Sequence, residues 1–191
     1  MLATSAKLST PDAATTPTLA TSGIYHLCDE ISIEKAKPVI AWILEQNLQT
    51  NKRSHLTLIV TSYGGDLHAA FAIVDAIRGS KIPIYTIGLG VIASAGLIIF
   101  LSGTKGNRML TPNTAILSHQ YTWGSRGKEH ELLADVRKFE LTSDRMMKHY
   151  KKSTGLSEKM IREKLLPAQD TWLSAEESLK LNICDAIRDM K

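Results

Sequence analysis

Hydrophobic positions along this chain recur with two alternating spacings, which predict an order of strands and helices. Leu56, Leu58 and Val60 occupy every second position, a pattern typical of a β-strand that ends at Gly64-Gly65. The apolar residues that follow recur at helical spacing and stop at Gly79; they are Leu67, Ala70, Phe71, Val74 and Ile77. Strand and helix therefore follow one another within about thirty residues, as in a βαβ unit.

The stretch from Ile82 to Leu101 contains no charged residue. Roughly twenty such residues could cross a bilayer, but Pro83 and the glycines of the run divide it into a β-rich half and a helix-like half. The pattern predicts a buried strand, a tight turn and a buried helix, with Ser94 at the corner between them.

The remaining periodic segments complete an α/β pattern. A helix is expected to begin near Ser32, with Pro38 in its first turn or at its start, and to bury Ile33, Ala36, Ile40, Ile43, Leu44 and Leu48. Further elements are predicted as a strand from Thr114 to His119, a long helix from about Lys128 to Lys152, a helix capped by Ser157, a helix with the capping box Ser174/Glu177, and a strand from Ile183 to Ile187. Strands that alternate with helices indicate largely parallel pairing.

The apolar stripe of the long helix has two interpretations. Its members, at helical spacing, are Leu132, Val136, Phe139, Met146 and Tyr150. The stripe is consistent with ordinary core packing or with an interface to another subunit, and the pattern alone does not decide between them.

Length and composition indicate one globular domain, or one domain with an appendage. The chain has 191 residues, 43% of them hydrophobic and 22% charged, and a formal net charge of +4. Basic and acidic residues are interleaved, which argues against nucleic-acid binding. Residues 1–22 are rich in Thr, Ala and Ser and lack the apolar core of a secretory signal, so a flexible or processed tail is expected.

Cysteine and glycine positions predict no metal or nucleotide site. Cys28 and Cys184 lie far apart in apolar segments, fit no zinc spacing, and are interpreted as buried free thiols in a reducing compartment. Gly103-Thr104-Lys105-Gly106 is predicted as a turn, because it lacks the glycine spacing and Lys-Ser/Thr ending of a phosphate loop.

Three candidate functional features lie where predicted strands end. They are Gly64-Gly65, Ser94 and His119. Since ligands of open α/β sheets bind beyond the carboxyl ends of the strands, we expect all three at one edge. Each has an ordinary structural alternative: Ser94 could simply cap its helix, and a lone histidine is more often a surface or core residue than a base.

Four ordered motifs resemble the family of Clp protease proteolytic subunits. They are Thr61-Ser62-Tyr63-Gly64-Gly65, Ile92-Ala93-Ser94-Ala95-Gly96, the segment from Arg108 to Gln120, and the segment from Gln169 to Glu177. The resemblance covers about residues 23–189. It implies a spiral of ββα units, the fold of Clp proteases and crotonases, with a protruding helical handle. The head would comprise about residues 23–120 and 154–191, and the handle about residues 121–153.

The resemblance implies a serine endopeptidase that cleaves unfolded polypeptides and peptides. Ser94 would be the nucleophile, His119 the general base and Asp170 its orienting partner, although Asp29, Asp135 or Asp185 could fill the last role by sequence alone. The backbone N–H groups of Gly65 and Ala95 would form the oxyanion hole.

The same resemblance implies an extended substrate that pairs as an added strand. Substrate-binding positions would be Gly64, Asp66, Leu67, Gln120, Tyr121 and Thr122. The charge at Asp66 raises the hypothesis of a cleft biased toward basic peptides.

The resemblance also implies a homo-oligomer of two stacked heptameric rings, a tetradecamer, that encloses a chamber and could dock an AAA+ unfoldase. The subunit itself would use no cofactor and no metal, and ATP would act only through the unfoldase. A cytoplasmic or equivalent organellar or host location follows, without nucleic-acid or membrane partners. The alternatives from other classes are a non-catalytic ring subunit and a crotonase-type acyl-CoA enzyme.

Overall fold

The computed structural model of the chain describes residues 18–50 and 53–190. Within these ranges the strands are β1 Ile24–Cys28, β2 Leu56–Ser62, β3 Ile84–Ala93, β4 Arg108–Leu110, β5 Ala115–Ser118, β6 Thr171–Leu173 and β7 Ala186–Ile187. The helices are α1 Ile33–Leu48, α2 Leu67–Gly79, α3 Ala95–Phe100, α4 Glu129–Thr154, α5 Glu158–Lys164 and α6 Ala175–Lys180. The predicted α/β class is confirmed.

The sheet is largely parallel, as predicted, and it forks at β3. Strands pair in the order β1-β2-β3-β4-β7, and β5 also pairs with β3. The first half of β3 pairs with β4 through Thr86–Gly88, and the second half pairs with β5 through Val91–Ala93. Gly90, between the two halves, has a φ of 66°, a conformation open to glycine. The fork brings the end of β5 beside the end of β3.

Strand β6 is the exception to parallel pairing. It runs antiparallel to β5, with Ser118 opposite Thr171. This strand, like β1 and β4, was not predicted, because no clear apolar alternation marks these short segments in the sequence. The last strand was predicted from Ile183 but is only the two residues Ala186–Ile187.

The uncharged run forms the buried centre of the molecule. As predicted, it contains a strand, the corner at Ser94 and a helix, α3, all of whose residues are buried. Leu58 and Val60 of β2 are likewise fully buried, each contributing roughly 1.5–3 kcal/mol of hydrophobic stabilisation. Among the described residues, no helix has the length and apolarity needed to cross a membrane.

Helix α1 turns a different face to the core from the one predicted. Its buried residues are Ala36, Val39, Trp42, Ile43 and Gln46. Ile33, Leu44 and Leu48 are exposed instead, so their part of the predicted stripe was wrong. Pro38 is the sixth helical residue rather than a first-turn residue. The side chains of Trp42 and Gln46 decide the rotation, because both donate hydrogen bonds to the Ala20 carbonyl, at 3.2 and 3.1 Å.

The N-terminal tail is only partly within the described ranges. Residues 18–22 form a turn in which Ser22 N–H donates to the Thr18 carbonyl at 2.9 Å. The prediction of a flexible or processed tail otherwise falls on residues 1–17, which lie outside the described residues.

The two cysteines are both free but differ in environment. Cys184 is buried as predicted, and burial raises the pKa of its thiol to about 11. Cys28 is exposed, so the prediction of burial was wrong there. It is the last residue of β1, whose outward-facing positions alternate with the buried Leu27.

Helix α4 has two halves of different character. Its C-terminal half buries Met146, Met147 and Tyr150 in the core. Its N-terminal half instead exposes apolar side chains, namely Leu132, Leu133, Val136 and Leu141. The core interpretation is therefore confirmed for Met146 and Tyr150. Leu132 and Val136 of the stripe are exposed, and their interpretation as an interface stays a prediction.

Candidate active site

Ser94 occupies a strained corner between β3 and α3. Its φ of 52° and ψ of −120° lie in a sparsely populated region for a residue with a Cβ. Its side chain makes no capping hydrogen bond, so the interpretation of Ser94 as a simple helix cap was wrong. The corner is held by backbone bonds: Ser94 N–H donates to the Leu117 carbonyl, and Leu97 N–H donates to the Ser94 carbonyl, both at 3.0 Å.

The glycine pair after β2 packs directly against this corner. Gly64 and Gly65 have φ values of 104° and 135°, which residues with side chains rarely adopt. A Cβ at Gly64 would lie 2.7 Å from the Ser94 Cβ and 3.1 Å from the Ala95 nitrogen. Side chains at this position would therefore displace Ser94.

Hydrogen bonds fix the orientation of the glycine peptide units. Ile31 N–H donates to the Gly64 carbonyl at 2.7 Å, and Asp66 N–H donates to the Ile31 carbonyl at 2.8 Å. No hydrogen bond from Gly65 N–H is formed within the described ranges. Ala95 is the first residue of α3, where an N–H has no intrahelical acceptor. Both predicted oxyanion donors thus remain able to bind an acceptor.

The β5–β6 pairing brings His119 to Asp170. Ser118 lies opposite Thr171, so the residue after β5 meets the residue before β6. His119 Nδ1 is 3.4 Å from Asp170 Oδ1, longer than a well-formed hydrogen bond. Asp170 is 62% exposed, so solvent screens this pair. His119 Nε2 is buried and has no partner among the described residues.

The other three aspartates considered for this role are engaged elsewhere. Asp29 pairs with Lys35 at 2.7 Å, and Asp185 pairs with Arg108 at 2.6 Å. Asp135 accepts a hydrogen bond from the Ser125 hydroxyl. Of the four candidates, Asp170 is the one in contact with His119.

Two neighbours anchor the backbone that carries His119. Ser118 Oγ donates to the Leu165 carbonyl at 2.5 Å and lies 3.1 Å from the Tyr150 hydroxyl. Burial raises the pKa of Tyr150 to about 12, which keeps its hydroxyl protonated. Gln120 Nε2 donates to the Leu166 carbonyl at 3.0 Å. Sequence reasoning missed Ser118 and Tyr150, because a buried serine and a helical tyrosine carry no local signal of this pairing.

Most of the predicted site residues line one cavity of about 470 Å³. Those that line it are Gly65, Asp66, Leu67, Ser94, His119, Tyr121 and Thr122. Asp170 is in contact with His119 rather than lining the cavity. Gly64 instead lines a second cavity of about 440 Å³, and Gln120 is held by Leu166. No hydrogen bond between Ser94 and His119 is formed within the described residues.

The remaining lining residues were not predicted as substrate-binding positions, although Asp135 was considered as a partner of His119. They are His68, Trp123, Gly124, Asp135, Lys138, Phe139 and Thr142. The spacing of the last four places them on one face of α4. That face could have been read from the sequence, but nothing in the sequence showed that it lies opposite Ser94.

Ser94, His119 and Gly65 line one cavity, and a serine and an imidazole beside a free backbone N–H are typical of serine hydrolases. Residues 12–191 match the family model described as Clp protease. The chain therefore belongs to the Clp protease family, whose proteolytic subunits are serine-type endopeptidases that assemble as oligomeric rings.

Curated relatives agree over most of the chain. An ATP-dependent Clp protease proteolytic subunit 2 of Treponema denticola is 33% identical over 162 residues, covering 84% of this chain and 79% of the relative. Subunit 2 of Treponema pallidum is 34% identical, covering 82% and 77%. The proteolytic subunit of Deinococcus radiodurans is 31% identical, covering 83% and 76%.

Proposed function

We propose that this chain is a serine endopeptidase that hydrolyses unfolded polypeptides and peptides with the triad Ser94, His119 and Asp170. The observation that carries the proposal is the cavity shared by Ser94 and His119, with Asp170 in contact with the far nitrogen of the imidazole. The unpartnered, buried Nε2 of His119 is the nitrogen left to accept a proton.

The proposed reaction has two steps. Ser94 Oγ attacks the substrate carbonyl carbon while His119 Nε2 takes the hydroxyl proton, and the tetrahedral oxyanion accepts hydrogen bonds from the N–H groups of Gly65 and Ala95. His119 then protonates the leaving amine as the C–N bond breaks, which leaves an acyl-serine. Water, deprotonated by His119, hydrolyses the ester and restores Ser94. The subunit uses no metal or cofactor in this scheme.

The walls beside Ser94 support substrate binding in an extended form. Gly65, Asp66 and Leu67 line one wall, and Tyr121 and Thr122 line another. Residues 119–126 follow β5 without regular secondary structure, so their backbone can pair with a peptide, as in strand addition. Binding through main-chain bonds gives loose sequence specificity, to which side-chain pockets add preferences.

The uncovered half of α4 supports assembly through this helix. Leu133 is 64% exposed and Leu141 54%, and several large exposed apolar side chains on one helix favour an interface. We propose a homo-oligomer of two heptameric rings stacked through their handles, residues 121–153, with ATP acting only through a docked AAA+ unfoldase. A cytoplasmic location, or its organellar or host equivalent, fits this assembly.

A fluorophosphonate probe tests the catalytic proposal. We expect covalent labelling of Ser94, loss of labelling in Ser94→Ala, and cleavage of fluorogenic peptides by the wild type alone. Native mass spectrometry of the same samples establishes whether the rings are assembled. Assembled rings that are neither labelled nor active would refute the endopeptidase and leave a structural ring subunit. Thioester hydrolysis without peptide cleavage would favour the crotonase-type enzyme.

A further inference from the structure

The cavity that holds Ser94 has one wall made by α4. Asp135, Lys138, Phe139 and Thr142 line it and share one helix face, because they follow one another at i, i+3, i+4 and i+7. Asp66 lines the same cavity from the segment that follows the glycine pair. Two carboxylates from separate elements therefore border the space in which a substrate side chain would lie.

Both carboxylates keep an oxygen that can bind a ligand. Asp66 Oδ1 accepts the Ala69 N–H at 2.6 Å, and Asp135 Oδ2 accepts the Ser125 hydroxyl. Within residues 18–50 and 53–190, no hydrogen bond or ion pair engages the other oxygen of either group. An ionised carboxylate has about four acceptor positions, so each remains available to an N–H donor.

An aromatic wall lies beside Asp135. The Trp123 and Phe139 rings are tilted at 30° with centroids 4.6 Å apart, and the Tyr121 ring centroid is 5.6 Å from that of Phe139. Tyr121 is fixed in place, since its hydroxyl donates to the Phe139 carbonyl at 3.0 Å. The faces of such rings attract cations, and arginine guanidinium more often than lysine ammonium.

The positive groups nearby oppose this attraction only in part. Lys138 and Asp66 are exposed, whereas Asp135 is half-buried, so solvent screens the charges of Lys138 and Asp66 more than that of Asp135. Arg145 lies behind the lining residue His68, to which it donates at 3.3 Å, and stacks on Phe71 at 4.1 Å. The lining itself has two carboxylates and one ammonium, opposite in sign to the net charge of +4 of the whole chain.

We propose that this cavity binds a basic side chain of the peptide substrate, its cation held between Asp66 and Asp135 and against the Trp123–Phe139 wall. The inference rests on the proposed endopeptidase activity for the position of the scissile bond. Asp66, Asp135 and Trp123 are then specificity-determining residues for arginine, and to a lesser degree for lysine.

Peptides that differ in one charge test the proposal. The substrates are fluorogenic peptides that are otherwise uncharged. Arginine, its neutral isostere citrulline, or aspartate is placed at one position at a time, in each of the three positions on either side of the scissile bond. At one position we expect kcat/KM for arginine to exceed that for citrulline about tenfold, which corresponds to 1.4 kcal/mol. Aspartate should be the poorest substrate at that position.

Conservative variants locate the source of the preference. Asp66→Asn retains a helix-capping side chain, and Asp135→Asn retains an acceptor for Ser125, yet both remove a charge. Each should lower the arginine-to-citrulline ratio at least threefold, and Lys138→Met should raise it. Glu140→Gln is the matched control, because Glu140 is an exposed carboxylate of the same helix, paired with Arg137 and not a lining residue of the cavity.

Binding to full-length Ser94→Ala separates this proposal from the catalytic one. Fluorescence polarisation with the same peptides should show the same order of Kd values. If neutral and basic peptides are cleaved and bound equally at every position, or if both Asp variants keep the ratio, the charge preference is overturned while the endopeptidase stands. If Ser94→Ala binds arginine peptides preferentially but the wild type cleaves none of the peptides, the charge preference of the cavity is supported and the endopeptidase is refuted.

Discussion

At the residue scale, the backbone of Gly64 packs directly against the strained corner at Ser94. The positive φ of Ser94 places its side chain at the corner without a capping bond, and a residue in such a conformation stores strain of order 1–3 kcal/mol. That strain persists because Gly64, without a Cβ, lets the two turns approach closely.

Gly64→Ala should disrupt this pair. Its Cβ would lie 2.7 Å from the Ser94 Cβ and 3.0 Å from the Ala93 carbonyl oxygen, at a φ of 104°. We expect kcat/KM for a fluorogenic peptide to fall by about two orders of magnitude or more, as misplacement of a nucleophile by about 1 Å does. Gly79→Ala is the control, because a Cβ there meets nothing within 4 Å. Equal activity of the two variants would contradict the close packing.

His149 is a second residue whose environment determines its chemistry. Its Nε2 lies 2.8 Å from the Ile98 carbonyl oxygen and its Nδ1 2.7 Å from Arg78. The imidazole therefore donates from Nε2 and accepts from Arg78 at Nδ1. Burial first, and then the positive charge of Arg78, lower its pKa from 6.5 to about 4. The neutral imidazole of His149, in α4, is thus hydrogen-bonded to both α2 and α3, the helix that follows Ser94.

The sign of the pH dependence follows from this lowered pKa. The unfolded chain takes up a proton near pH 6.5, whereas the folded imidazole resists protonation down to about pH 4. The folded state is therefore favoured fully above pH 6.5 and loses stability as pH falls toward 4, by roughly 3 kcal/mol over the whole window. His149→Gln, which keeps a donor and an acceptor, should show a smaller decrease in the free energy of unfolding between pH 7 and 4.

Urea denaturation at several pH values measures this difference. His55→Gln is the control, because His55 is exposed and its substitution should leave the pH dependence of the wild type. Parallel curves for wild type and His149→Gln would show that His149 does not titrate as its environment indicates.

Candidate residues could be selected from the sequence only where a motif surrounds them. Ser94 and His119 were selected by their positions at strand ends, and the family resemblance assigned their roles and selected Asp170 through the Trp172-Leu173-Ser174-Ala175 context. His149 and Tyr150 were not, since burial and a carbonyl partner fifty residues away decide the protonation of His149. Trp123 and Asp135 likewise entered the site only through the tertiary packing of α4.

At the scale of elements, one buried ion pair ties several of them together. Arg108 of β4 is 1% exposed and donates to Asp185, to the Ser153 carbonyl at 2.9 Å and to the Asn182 carbonyl at 3.0 Å. Asp185 Oδ2 also accepts the backbone N–H groups of Gly106 and Arg108. The pair thus connects β4 with the C-terminal end of α4 and with the segment between α6 and β7.

Asp185→Asn should cost about 3–5 kcal/mol in the free energy of unfolding, because it leaves the Arg108 charge buried without its counter-charge. Burial of Asp185 alone would raise its pKa, but hydrogen bonds and charge from Arg108 outweigh this and lower it. The pair therefore persists until pH falls below the usual range of an aspartate. Denaturant titration at pH 7 measures the loss. Asp144→Asn removes an exposed partner of Lys148 and should cost less than 1 kcal/mol; equal losses would contradict the buried role.

Elements with a long apolar repeat were predicted with the most accurate bounds, and the short strands β1, β4 and β6 were not predicted. Helices α2 and α4 and strand β2 were confirmed with nearly the predicted bounds, because many periodic positions define each of them. The three residues of β6 form a strand through their pairing with β5, a long-range contact that the local sequence does not show. That pairing brings Asp170 to His119, so the element that completes the site had the weakest sequence signal.

At the scale of the whole molecule, the two halves of α4 differ in how far the rest of the chain covers them. Met146 and Tyr150 anchor the C-terminal half in the core, whereas Leu133 and Val136 remain 64% and 45% exposed in the isolated chain. The same helix presents Asp135 and Phe139 to the cavity. Assembly through this helix would therefore bury the apolar surface next to the substrate-binding wall and hold that wall in place.

Substitution of the uncovered surface separates the fold from the assembly. Leu133→Glu combined with Val136→Glu should leave the thermal unfolding of the separated subunit nearly unchanged, since exposed substitutions typically cost within about 0.5 kcal/mol. The mass of the native assembly should fall, because burying two carboxylates in an apolar interface is unfavourable. Peptidase activity should fall with it, as the α4 wall loses its support. Leu179→Glu makes the same chemical change at a 40% exposed leucine of α6 and should retain the stacked assembly. A double variant that keeps both its mass and its activity would show that the rings meet through a different surface, and that the apolar half of α4 serves another contact.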